Sequence, residues 1–450
     1  LGNDRSVVEK IVSRIRANIL TSIRKYISQR DQLGIAEAML IGYKADLSKS
    51  LNNTYSIAGV SHVIAISGMH LGLIYLIIHQ IFASVFKKKQ LHIVALFITL
   101  PLLWMFAMIT GSSASVLRSV IMYSFIIIGN LLTKNSNSLN ALLGAGFIMN
   151  VCNPDVLNDI GFQLSFSAVL GITLMYQPIK KSLYTKNNIL EWGWNLVALS
   201  LAAQIITTPF LLYHFHQFST YSILNNIFIV PLSSIVLILE IILCLCPFPI
   251  LCLKAIAPFI SMILTWMNDF TAAMNKVPHA LITVPMLKWY QVLLWTIFFI
   301  GIACFILKKE KYPFLMITLT AASLLLVANT FVQHTIKTTQ QIILLNLHSS
   351  GSIIHQHGHT ADVYVYGNQI DGINASRKII ASALKTVGVE VHKFKYLPNT
   401  PMVVVMNASK MAIFINADKL NGSIDTSLLN EHAEWIMDGS TKLWKIREWQ

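Results

Sequence analysis

Between Ser56 and Phe86 the chain reads SIAGVSHVIAISGMHLGLIYLIIHQIFASVF, without a single Asp, Glu, Lys or Arg. A helix of that length, at ~1.5 Å rise per residue, crosses the ~30 Å hydrocarbon core of a bilayer. Its first half is not plain lipid-compatible sequence. Read as one continuous helix, Ser61, Ala65, Gly68 and Gly72 fall on a single stripe of small residues, because spacings of 4, 3 and 4 return to one face. Such a stripe lets another backbone come close. His62, Ser67 and His70 lie off the stripe and carry polar atoms to membrane depth, where they must face protein or water. Two readings stand: a packing helix whose histidines are satisfied by carbonyls, or a wall of a polar path.

The stretch excludes two chemistries. His62 and His70 are eight apart with no H-E-x-x-H, so it is not a zinc-protease helix. Ser67 sits in Ala-Ile-Ser-Gly-Met, which is not a nucleophile elbow.

Composition agrees with a membrane setting. Charged residues are 12% of the chain and hydrophobic ones 54%, against ~25% charged in a soluble domain. The net charge of +14 suits positive-inside loops, with the remainder available to an anionic partner such as lipid headgroups or nucleic acid. Cys152, Cys244, Cys246, Cys252 and Cys304 sit in or beside apolar segments and read as small buried hydrophobes. No disulfide framework is expected. The chain opens on Leu1 without a signal-peptide pattern, as a fragment lacking upstream sequence would.

Residues 6–30 form a basic amphipathic pattern, with Val8, Ile11, Val12, Ile15, Ile19, Ile23 and Tyr26 on one face. Such a helix lies on a membrane surface or packs on a partner helix. A short helix at 35–43 and a polar linker at 44–55 follow. Ten membrane crossings are expected between Ser56 and Val332, the fourth and eighth being the weakest. Arg118, near the start of the third, either snorkels to headgroups or faces a polar path. Gln163, Ser167 and Gly171 share a face of the fifth, with Ser165 on the same segment, which suits helix–helix hydrogen bonds or a water-facing wall. Prolines are expected to interrupt the segment from Ser222 at Pro231 and to break the next at 247, 249 and 258. Glu240 is an intramembrane carboxylate, either functional or simply protonated or paired. Basic clusters at 87–89, 180–186 and 308–311 fall on one side if all ten crossings exist. By the positive-inside rule that side is cytoplasmic, and both ends of the chain then lie outside.

From Ile342 onward IILLNL, SIIHQ, DVYVYG and MVVVMN read as strands, and 375–387 as a helix. The organisation is thus a basic N-terminal region and linker (1–55), a transmembrane bundle (56–332) and a small α/β domain (333–450). The fold class is mainly α.

The run SHVIAISGMHLGL resembles the signature segment of the ComEC/Rec2 family, membrane proteins of DNA uptake in natural transformation. SSASVLRSVIM (112–122), NPDVLNDIGFQLSFSAVLGI (153–172) and the region 207–231 resemble later family motifs in the family's order. The likeness covers roughly residues 30–332. It implies an inner-membrane, multi-pass channel component that passes single-stranded DNA into the cytoplasm, with His62, Ser67, Gly68, His70, Gly72, Arg118, Gln163, Ser165 and Glu240 as signature or path residues. It also implies a DNA receptor and a cytoplasmic motor or helicase as partners, and allows a homo-oligomer. Many members carry an OB-like domain, which these residues lack, and a metallo-β-lactamase-like tail with H-x-H-x-D-H. Here that motif reads His355-Gln-His357-Gly-His359-Thr360, so its Asp and last His are missing. No nuclease, metal or cofactor is therefore expected. With no Walker A motif, energy is expected from another protein or the membrane potential. Two alternatives stand beside this reading: a secondary transporter of a small anionic solute, and a membrane-bound nuclease.

Overall fold

The computed structural model describes residues 7–85, 95–133, 137–183, 186–245, 250–307, 311–347, 350–367, 387–397, 402–407, 410–415 and 433–437, with a few single residues between these stretches. The chain divides into two compact units, one of residues 1–283 and 292–321, the other of 284–291 and 322–450.

The first unit begins with α1 (Val7–Tyr26), α2 (Arg30–Ile41) and α3 (Lys49–Ile57). The apolar face of α1 packs at its C-terminal half: Ile23 is fully buried, whereas Val8 and Ile11 are exposed. The linker expected at 44–55 is instead largely α3, because Ser48 caps it by accepting the Leu51 N–H at 3.3 Å. Gly34 allows the α2 backbone to meet the Asp46 carbonyl, 2.7 Å from where a Cβ would stand. Arg24 joins α1 to α2 and to the loop after it, donating to Glu37 at 2.7 Å and to Asp46 at 2.8 Å. Burial holds the Glu37 carboxyl above its usual range, although the Arg24 guanidinium beside it pulls the other way. These helices are no separate body. They share a core with α4 (Ser61–Ile64), α11 (Ser222–Leu245) and α12 (Ile250–Met274).

Between them run α5 (Gly68–Ala83), α6 (Leu100–Ile109, preceded by a π turn), α7 (Ala114–Thr133), α8 (Ser138–Cys152), α9 (Ile160–Ser182) and α10 (Asn188–Phe215). α13 (Trp289–Leu307) and α14 (Tyr312–Thr338) follow α12. Among the described residues six helices are long and apolar enough to cross a membrane: α7, α9, α10, α11, α13 and α14. α5, α6 and α8 are apolar but shorter. Large apolar side chains such as Phe97, Phe147 and Leu326 are exposed, as they are when the solvent is lipid. The chain is a mainly α, membrane-type protein. The lysines at 87–89 and residues 308–310 lie outside the described residues, as do Cys246, Pro247 and Pro249.

Pro231 and Pro258 were expected to interrupt their helices, yet α11 and α12 run straight through them. The carbonyl that loses its donor to Pro231 is that of Ile227, one turn earlier; the Ser233 and Ser234 hydroxyls donate to the Val230 carbonyl instead. Cys152 is exposed and Cys244 and Cys304 are half-buried, all three free, so Cys152 departs from the buried reading. It ends α8 at a polar turn, where no helix covers it.

In the second unit β3 (Gln340–Leu347), β4 (Ser350–His357) and β5 (Thr360–Gly367) form an antiparallel meander, and β6 (Glu390–Leu397) joins β5 in parallel. Ile354, Val363 and Val365 pack on Ile380 and Leu384. A separate sheet holds β7 (Met402–Asn407), β8 (Lys410–Ile415) and β9 (Ala433–Met437). The first unit has its own short ribbon, β1 (Gln217–Ser219) with β2 (Leu281–Thr283).

The tightest helix pair is α9 on α10. A Cβ at Gly171 would run into the Ala202 carbonyl. Ser167 and Gly171 are buried there, so this face serves helix packing and is no water-facing wall. Gly171→Leu should separate the two helices and sharply reduce membrane-embedded protein on immunoblots, whereas Gly193→Leu, at a site with open space around it, should leave the amount near wild type.

Candidate functional site

The segment expected to be one long helix is broken. α4 ends at Ile64, Ala65 and Ser67 are extended, and α5 starts afresh at Gly68. A continuous stripe of Ser61, Ala65, Gly68 and Gly72 therefore does not exist. The break is stabilised locally. The Ser67 N–H donates to His70 Nδ1 at 3.0 Å, the reciprocal half of a capping box with histidine in place of glutamate. Because Nδ1 accepts, the neutral ring carries its proton on Nε2. That nitrogen is buried without a hydrogen-bond partner among the described residues.

α7 packs on the start of α5. A Cβ at Gly68 would lie 2.6 Å from Ser119 Oγ and 2.8 Å from an Arg118 guanidinium nitrogen. One at Gly72 would lie 2.6 Å from the Tyr123 hydroxyl. The two glycines thus accommodate polar side chains of α7 and not a neighbouring backbone. Arg118 is 4% exposed. It does not snorkel: its guanidinium turns inward and donates to Ser119 Oγ at 3.1 Å. Ser119 in turn donates to the Ser115 carbonyl, and Ser115 Oγ lies 3.3 Å from Ser165 Oγ, which carries the polar line on to α9. Tyr75 stacks on Tyr123, ring centres 4.9 Å apart. His62, on α4, is exposed.

Ser67, Gly68, His70, Gly72, Arg118 and, through Ser115, Ser165 thus come together, with His62 beside His70. Gln163 belongs elsewhere: it donates to the Leu157 carbonyl at 2.8 Å, and its oxygen lies 2.6 Å from His214 Nε2. Glu240 is fully buried in the apolar core beside Val236 and Leu237, with no partner for either oxygen among the described residues. Ser119, Tyr123 and Asn225 were missed in the sequence. Asn225 donates to the Ala58 carbonyl at 2.7 Å and holds the turn before α4. Ser119 was detectable as the neighbour of Arg118; Asn225, 167 positions from its partner, was not.

In the second unit His355 and His357 lie on β4, 2.9 Å apart between ring nitrogens, and His359 is in the turn to β5. Asp362, opposite His355, contacts His392 at 3.2 Å. Among the described residues no group of three or more His, Cys, Asp or Glu is placed to hold a metal ion.

A membrane helical bundle with a helix broken inside a polar cluster is the class this fold defines. The competence protein family matches residues 39–310, more than half of the chain, and the chain belongs to that family, the ComEC/Rec2 type. It is 32% identical over 204 residues to ComE operon protein 3 of Bacillus subtilis, covering 45% of this chain and 25% of that protein. It is 25% identical over 237 residues to Recombination protein 2 of Haemophilus influenzae, covering 50% of this chain and 30% of that one. The chain thus spans about a quarter to a third of the curated relatives it matches. No solved structure matches it.

Gly68→Leu should displace Arg118 and Ser119 together and lower the amount of folded protein, because its Cβ alone would stand 2.6 Å from Ser119 Oγ and 2.8 Å from an Arg118 nitrogen. Gly111→Leu, where nothing lies near the Cβ position, tests whether added bulk alone explains the loss, although its φ of +86° adds local strain. Immunoblots of membrane fractions give both values.

Proposed function

We propose that this chain lines part of the path by which single-stranded DNA crosses the bacterial cytoplasmic membrane during natural transformation. The observation that carries the reading is the broken helix at 65–67, inside the family-matched region, with polar side chains gathered around it. Non-helical backbone at membrane depth persists where it is buried in protein or lines a water-filled cavity. His62, exposed on α4, lies just before that break. A polyanion that must shed water needs small, polar and cationic surroundings, and the chain's net charge of +14 favours it.

Energy comes in this reading from a cytoplasmic motor or helicase or from the membrane potential, and a receptor outside delivers the DNA. The chain itself is no enzyme. With the ten crossings expected from the sequence, the positive-inside assignment puts both ends of the chain outside the cytoplasm. A secondary transporter of a small anion remains the competing reading, because a discontinuous helix also suits that class.

His62→Ala removes a polar group at the break without adding bulk. It should keep membrane protein near the wild-type amount and lower transformant frequency by more than an order of magnitude, with DNA entry into the outer compartment unchanged. Normal transformation by a strain lacking the gene would sink the proposal. For orientation, a cysteine placed at Ser350 in a background without native cysteines should react with an impermeant thiol reagent in intact spheroplasts. Labelling only after permeabilisation would reverse the topology.

A further inference from the structure

We propose that the Arg118 guanidinium and the amino end of α5 together form a binding site for one phosphodiester group. Arg118 is 4% exposed and forms no ion pair among the described residues. Its one hydrogen bond goes to the neutral Ser119 hydroxyl, and its Nε is buried without a partner. The guanidinium lies against Gly68, the first residue of the 16-residue helix α5. A helix begins with unpaired N–H groups and a partial positive charge, so a cation is the wrong neighbour for it. Of the amides around this start, Ser67 N–H is taken by His70 Nδ1 and His70 N–H by the Ser67 carbonyl. The amides of Gly68 and Met69 stand at the positions that have no partner within a helix.

Two positive ends therefore meet in a buried place with no carboxylate between them. An anion resolves that conflict. Glycine at 68 lets the guanidinium come this close to the start of α5, since any Cβ there would collide with Arg118 and Ser119. The donors fall into two sets, the free edge of the guanidinium and the first amides of α5. A phosphodiester offers two non-bridging oxygens and one negative charge, which matches two donor sets. Both a DNA backbone and an anionic lipid headgroup carry that chemistry. The DNA source rests on the transport reading above.

The full chain, purified in maltoside detergent, which carries no phosphate, is titrated with oligothymidylate at several salt concentrations. A second titration uses short-chain phosphatidylglycerol. Wild type, Arg118→Gln and Arg118→Lys are compared. For DNA, Arg118→Gln should weaken binding and flatten the log–log salt dependence by about 0.7, one phosphate's share for a single strand. Arg118→Lys keeps the charge and loses the fork, so its slope should match wild type while its affinity falls. If only phosphatidylglycerol binding responds to Arg118→Gln, the site stands with lipid as its source. If both probes bind the two variants as they bind wild type, or wild type binds neither, the site does not exist. Should Arg118→Gln fail to fold, Arg118→Lys decides: unchanged affinity for both probes overturns the site. Oligothymidylate binding that is equal in all three forms, with lipid binding equally unchanged, leaves the transport reading intact and removes only this site. Lipid binding that depends on Arg118, without any DNA binding, does the reverse.

Discussion

Hydrocarbon offers no hydrogen bonds, so every polar backbone group at membrane depth must be satisfied by protein or by water in a cavity. That constraint makes the short break between α4 and α5 the feature to which the surrounding packing answers. His70 returns to cap Ser67, and Asn225 reaches from α11 to the turn before α4. Gly68 and Gly72 admit Ser119, Arg118 and Tyr123 from α7. The Asn225 and glycine contacts cross between helices, so the break and the helix arrangement stabilise one another.

The N-terminal helices have a supporting role in the same arrangement. α2 and α3 are bound to α12 by side-chain hydrogen bonds, Gln32 to Thr265, Tyr55 to Asn268 and Asn275 to the Thr54 carbonyl. α3 leads directly into the turn that Asn225 holds. A region that looks like a peripheral amphipathic arm therefore fixes the entry to the broken segment. Glu37, fully buried with Arg24 reaching in from α1, shows how closely this collar is assembled.

Buried polar groups without partners are costly, and two of them come close to one another. His70 Nε2 and Arg118 Nε lie on the two elements that meet at Gly68. Glu240 is a different case, a carboxylate enclosed by aliphatic side chains. In the second unit the β3–β6 sheet has its own apolar core, His355 pairs with His357, and His392 with Asp362.

Much was legible in the chain alone. Charge-free apolar runs identify lipid-facing helices because lipid tolerates nothing else, and α13 spans the very residues, Trp289 to Leu307, that hydropathy marks. Alternating apolar residues marked the strands after 340, and the ordered motifs marked the family. What the chain alone did not decide was continuity and partnership. Periodicity treats 56–86 as one helix because no proline or charge interrupts it; the break arises when His70 caps Ser67 and α7 occupies Gly68. Pro231 and Pro258 mislead in the opposite direction, since helices packed into a shared core run on past a missing donor. Whether Arg118 snorkels outward or turns inward depends on which helix lies beside it, and Gln163 finds His214 only when α9 and α10 fold together. Local sequence determines which segments leave water. Contacts between residues far apart in the chain decide where those segments bend and which polar groups meet.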